Sequence, residues 1–82
     1  MVEIIYTELF KKEFEKIKDN LLKDKIKKQL KKIIENPEIG KPLRYNLKGE
    51  RTIYIKPYRL IYSFQENTII LLKFHHRDSV YD

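Results

Sequence analysis

The chain has 82 residues, no cysteine and a formal charge of +6. A domain of this size buries only about 60% of the surface its unfolded chain exposes. With neither disulfides nor thiolate zinc sites to staple it, the chain reads as one domain over residues 1–82 of a cytoplasmic protein. No apolar run approaches the ~20 residues of a membrane helix, the opening MVEIIYTELFKKEF lacks the order of an export signal, and the basic excess favours polyanionic partners.

Residues 2–6 (VEIIY) are β-branched and aromatic, the composition of a short strand. Thr7 stands where a helix N-cap belongs, and ELFKKEFEKIK follows with helical periodicity. Phe10, Phe14 and Ile17 fall on one stripe, with Leu9 beside it. Asp19-Asn20 breaks this helix. A second is predicted from Leu21 or Leu22 to about Glu35, with Leu22, Ile26, Leu30 and Ile33/Ile34 as its apolar stripe. Asn36-Pro37 ends it, because the residue before proline avoids the helical region. Two amphipathic helices joined this closely form an antiparallel hairpin.

Residues 37–50 hold both glycines and two of the three prolines, and are predicted to be the main irregular connection. Beyond them the period changes to two. Residues 51–56 (RTIYIK), 58–64 (YRLIYSF) and, more weakly, 69–76 (IILLKFHH) alternate, with turns at Lys56-Pro57 and Gln65-Glu66-Asn67. Three sequential strands make an antiparallel meander, which the N-terminal strand can join. The predicted fold is two-layer α+β, with the N-terminal strand and helical hairpin packed on a mainly antiparallel sheet.

Charge is unevenly made. Residues 1–40 carry ten Lys, eight acids and no Arg, and such a mixture on helices reads as a solvated face. All four Arg (Arg44, Arg51, Arg59, Arg77) lie in the second half. Their planar forks suit phosphate, so a site is sought there. Strict alternation turns Ile53, Ile55, Leu60, Tyr62, Phe64, Ile70, Leu72 and Phe74 toward the helices. Thr52, Tyr54, Lys56, Arg59, Ile61, Lys73 and His75 then share the opposite face. Lys56, Arg59, Lys73 and His75 are cations or can become so, and burying unpaired charge is costly. This face is therefore expected to meet water or a polyanion.

Most catalytic templates are absent from the sequence. Ser63 and Ser79 have no glycine-flanked elbow, and two glycines cannot build a phosphate-cradling loop. Glu50, Glu66, Asp78 and Asp82 are too scattered for a two-metal nuclease. Neighbouring strand residues point to opposite faces, which disfavours His75-His76 as a metal pair. No metal or cofactor is expected. What the residues do allow is metal-free phosphoryl transfer on RNA: histidine as acid or base, arginine on the developing charge, tyrosine stacked on a base or sharing a proton. The plainer alternative is that His75, His76, Arg77 and Tyr81 merely close the last edge of the sheet.

KPLRYNLKG (41–49), YIKPYRLIY (54–62) and FHHRDSVY (74–81), in this order after a strand and a helical hairpin, resemble the RelE/ParE superfamily of toxin–antitoxin toxins. The resemblance spans the chain and implies the RelE-like microbial RNase fold. It implies a toxin that cuts mRNA in the ribosome by 2′-hydroxyl attack, with a ParE-like DNA gyrase inhibitor or a catalytically degenerate binding module as alternatives. Carried over residue by residue, Arg59 matches the arginine that contacts the scissile phosphate, and Tyr81 the C-terminal tyrosine used on the base or in proton transfer. His75 falls where some members hold phosphate with arginine, and His76-Arg77 match the terminal His-Arg pair. The expected catalytic set is Arg59, His75 and Tyr81, and the expected RNA contacts are Arg51, Lys56, Lys73, His76 and Arg77. One departure stands out: many members carry two basic residues before YRLIY, where this chain has Thr52 and Tyr54. The family also implies the ribosome and mRNA as partners, together with a RelB-like antitoxin, acidic and partly disordered, that folds onto the toxin.

Overall fold

The computed structural model describes residues 2–43 and 49–76. These form β1 (Glu3–Tyr6), α1 (Glu8–Lys16), α2 (Asn20–Glu35), β2 (Lys41–Pro42), β3 (Glu50–Ile55), β4 (Tyr58–Gln65) and β5 (Thr68–His76). The sheet order is β1-β5-β4-β3-β2, with β1 parallel to β5 and the other pairs antiparallel. Both helices lie on one face, α1 over β5 and α2 over β3. The two-layer α+β architecture is the predicted one.

Helix starts follow from capping. Thr7 Oγ1 accepts the Phe10 N–H at 3.1 Å, and Asp19 Oδ1 accepts those of Leu21 and Leu22 at 2.9 and 3.2 Å. Asp19 thus both breaks the hairpin and caps α2, which begins one residue before the earliest predicted start. The β4–β5 loop is Glu66-Asn67, both at positive φ, the conformation that matches strand twist in a two-residue hairpin. Lys56-Pro57, with a cis peptide bond, forms the β3–β4 turn.

In one strand the alternation fails. Ile61 pairs with Lys73, yet the next residue, Tyr62, pairs with Leu71, so Leu72 has no partner across the ladder. This β-bulge changes the phase of β5. Ile69, Leu71 and Phe74 are the residues buried in the core, and the expected Ile70 and Leu72 are only half-buried. The sequence IILL carries no polar residue to mark its phase, so the slip leaves no trace in the pattern.

The core joins Phe10 of α1 and Ile26 and Ile33 of α2 to Ile55, Leu60, Tyr62, Ile69, Leu71 and Phe74 of the sheet. Phe14, Phe10, Phe74 and Tyr58 continue through it as an aromatic column, with centroid separations of 6.3, 5.0 and 5.8 Å. Leu30 is half-buried, and Leu9 and Ile34 are exposed flanks of their stripes.

The segment 37–42, predicted to be irregular, ends in β2, which pairs with Arg51 and Thr52. Two residues including a proline are too short to register as a strand in sequence. Tyr62 holds this segment from inside. Its hydroxyl donates to Pro37 O at 2.8 Å and accepts the Gly40 N–H at 2.9 Å, while Arg51 Nη1 donates to Glu38 O at 3.0 Å and Gly40 O at 2.7 Å. A Cβ on Gly40 would lie 2.7 Å from the Tyr62 hydroxyl, so the close approach requires glycine. Burial raises the Tyr62 pKa above the ordinary 10.0, and the Gly40 N–H and the Arg51 charge offset this only in part.

Two measurements check this packing. Ile26→Ala, at a site with 0% exposure, is expected to cost roughly 2–5 kcal/mol in denaturant unfolding. Leu21→Ala, on the exposed side of α2, should stay within about 0.5 kcal/mol; comparable losses would mean that α2 buries another face. Tyr62→Phe strands the Pro37 carbonyl and the Gly40 N–H, for about 1–3 kcal/mol. A phenol whose folded pKa is raised contributes its stability fully below the unfolded value and loses it as pH rises through the folded one. The gap between wild type and Tyr62→Phe should therefore narrow above pH ~10, and a constant gap would show that the hydroxyl is not protected by burial.

Candidate functional site

On the face away from the helices, register brings Tyr54, Arg59 and His75 into one row, Tyr54 opposite Arg59 and Arg59 opposite His75. Directly opposed side chains in antiparallel strands stand about 4.5–5.5 Å apart at Cβ. The next row is Lys41, Thr52, Ile61 and Lys73. Arg59 and Lys73 are exposed and His75 half-buried, while Ile61, between Thr52 and Lys73 in its row, is buried. The bulge makes this possible: without the extra residue, Lys73 and His75 would share a face with Ile69 and Leu71.

A cavity of about 720 Å³ opens beside Arg59, lined also by Lys41, Thr52 and Tyr54. Thr52 Oγ1, in its wall, is buried and has no hydrogen-bond partner among the described residues. Arg59 and Lys41 thus supply cations, Thr52 a hydroxyl and Tyr54 an aromatic face, a set suited to a phosphodiester and its base.

A second cavity, about 420 Å³, wraps the outer edge of β5 and is lined by Glu13, Lys16, Tyr58, Lys73, His75 and His76. β1 pairs with β5 only as far as Leu71, and α1 supplies partners beyond it. Thr7 Oγ1 lies 2.9 Å from both Leu71 O and Leu72 O, clasping the bulge. Glu13 Oε1 accepts the Phe74 N–H at 2.7 Å and so braces the strand that carries Lys73 and His75. Nothing in the sequence singled out Glu13. Its position on α1, one residue before the stripe residue Phe14, is the only hint that it borders the sheet.

The predicted site residues divide. Arg59, His75 and Lys73 come together as expected. Arg51, expected as an RNA contact, pairs with Tyr62 on the helix side, and its guanidinium holds loop carbonyls. His76 likewise falls with Phe74, its ring meeting Tyr58 edge-on at 5.1 Å. Lys56 stands in the β3–β4 turn instead of on the strand and lines a cavity with lysines of α2. Arg77 and Tyr81 lie outside the described residues.

The hairpin-on-sheet fold is shared with solved RelE, YoeB and YafQ toxins. The family described as the ParE toxin of type II toxin-antitoxin systems, parDE, matches residues 4–81, and the chain belongs to it. Similar solved structures include the toxin–antitoxin complex RelBE of E. coli, with TM-score 0.76 and 20% identity over 93% of this chain and 96% of that one. The YoeB–YefM complex of Staphylococcus aureus gives TM-score 0.75 and 21% identity over 93% and 97%. YafQ of E. coli gives 0.76 and 20% over the whole of both chains. No curated protein sequence matches this one.

Proposed function

We propose that this toxin is a metal-independent endoribonuclease that cuts mRNA on the ribosome in the cytoplasm and thereby inhibits translation, acting as a single domain over residues 1–82. The Arg59–His75 cross-strand pair carries this reading, because it sets a fixed cation beside an acid/base group on a face open to a large polyanion. In the reaction, the 2′-oxygen bonds to the adjacent phosphorus and gives its proton to His75. Arg59 holds the phosphate oxygens as charge builds. The 5′-oxygen departs with a proton from Tyr81 or water, leaving a cyclic phosphate. Lys73 adds to the cationic field, and the roles of Tyr81 and Arg77, which lie outside the described residues, rest on the family resemblance alone. The toxin–antitoxin complexes among the similar structures support a cognate antitoxin as partner; on this reading it is an acidic segment that folds onto this charge.

Gyrase inhibition is the second reading. It is favoured by the ParE description of the family and by Thr52 and Tyr54 standing where many RelE-like toxins carry a basic pair.

Single-turnover cleavage of mRNA on programmed ribosomes separates them. Arg59→Ala and His75→Ala should each slow cleavage by ~10²-fold or more, the scale of losing one oriented donor or one acid/base group, with circular dichroism and melting unchanged. Tyr81→Phe should be milder than Tyr81→Ala if the ring stacks, and equally damaging if the hydroxyl moves a proton. Intact mRNA with trapped gyrase–DNA complexes would establish the second reading, and full activity in Arg59→Ala would remove the mechanism.

A further inference from the structure

Tyr54 belongs to two cavities. One is the cavity beside Arg59. The other, about 240 Å³, lies where β3 meets α2 and is lined by Lys25, Lys28, Lys32 and Lys56 with Gln29 and Ile55. The Tyr54 ring, 55% exposed, therefore stands between the reacting-phosphate face and a cluster of four lysines. β2 pairs with β3 only at Arg51 and Thr52, and past that point the rim of the sheet is bordered by this flank of α2.

The cluster is more than a solvated helix face. Lys25, Lys28 and Lys32 recur at i, i+3 and i+7 on one flank, spanning about 10 Å of helix. At the ~3.4 Å axial spacing of stacked nucleotides, that is the length of roughly three. Asp24 and Glu35, the acids of α2, line neither cavity. The only ion pair among the described residues is Lys11–Glu8, so none of the four lysines has a carboxylate partner there. Lys27 lies on the other flank, in a groove with Phe10, Phe14 and Leu30.

We propose that this rim is a second nucleic-acid subsite, in which Tyr54 stacks on a base next to the reacting phosphate and Lys25, Lys28, Lys32 and Lys56 take the phosphates beyond it. The inference rests on the RNA reading above and extends it: the substrate is a single strand several nucleotides long, gripped on one side of the cut. It also gives one flank of α2 a role in binding, where the sequence suggested only a solvated face.

The test is fluorescence anisotropy with a labelled single-stranded decadeoxynucleotide, which lacks the 2′-hydroxyl and cannot be cut, over a range of salt. The triple variant Lys25→Gln, Lys28→Gln, Lys32→Gln should weaken binding at least 10-fold at low salt. Its slope of log K against log salt should fall by about 2, since each phosphate contact on a single strand contributes ~0.7. Tyr54→Ala should weaken binding by about 5- to 100-fold, and Tyr54→Phe should restore it, because stacking needs the ring alone. Lys27→Gln should match wild type. An unchanged slope in the triple variant with normal cleavage on programmed ribosomes would overturn the subsite and leave the ribonuclease reading intact. Wild-type protein that neither binds the decamer nor cuts mRNA would overturn both. Loss of antitoxin binding with oligonucleotide binding unchanged would assign the lysines to the protein partner and so reject the subsite.

Discussion

The unpaired residue in β5 is the constraint on which the rest depends. This strand must bury Ile69, Leu71 and Phe74 and keep Lys73 and His75 in water, a division that no unbroken alternation allows. One inserted residue resolves the conflict. A bulge leaves carbonyls outside the regular ladder, and Thr7 meets them: its hydroxyl reaches Leu71 O and Leu72 O while accepting the Phe10 N–H that starts α1. One side chain thus couples the end of β1, the start of α1 and the phase of the strand bearing the site. Two residues from the bulge, Glu13 holds the Phe74 N–H and fixes the strand between Lys73 and His75.

What the sequence made legible follows from how each signal arises. Helices, meander and turns were readable because period, caps and proline are local properties, and the Arg59–His75 face was readable because both residues sit in strands with polar markers. Ile69 and Leu71 were hidden within an all-apolar run, where a change of phase has no signature. Arg51 was misplaced for a different reason. Arginine composition pointed to phosphate, while the alternation beside Ile53 and Ile55 pointed inward, and the local pattern was the better guide. Its guanidinium pairs with the carbonyls of a loop whose path no sequence rule gives. β2 could not be seen because pairing, and not composition, defines so short a strand.

The charge distribution has a cost and a use. A domain this small has only a few kcal/mol in reserve, and a net charge of +6 repels itself. The fold limits the penalty by giving the cations to water: Arg59, Lys73, Lys56 and the α2 lysines are all exposed or near-surface, and the buried polar groups Ser63, the Tyr62 hydroxyl and Thr52 Oγ1 are neutral. Such a field concentrates polyanions around the open face before any specific contact forms.

The two rims of the sheet show how one surface can serve stability and recognition together. Exposed strand edges invite pairing with other chains, and proteins blunt them with covers, short strands or lysine. At the β5 rim a threonine hydroxyl and a glutamate are aimed at backbone groups of the strand, which takes those groups from an incoming strand. At the β3 rim the border is cationic, with Lys56 in the turn and lysines from α2 beside Tyr54. Lysines there discourage a second protein strand, because a docking backbone would have to desolvate them. The same side chains attract a phosphodiester, whose charge compensates theirs. The two requirements point in one direction, so a lysine border that protects the edge is already half of a nucleic-acid subsite, and the ring of Tyr54 supplies the other half.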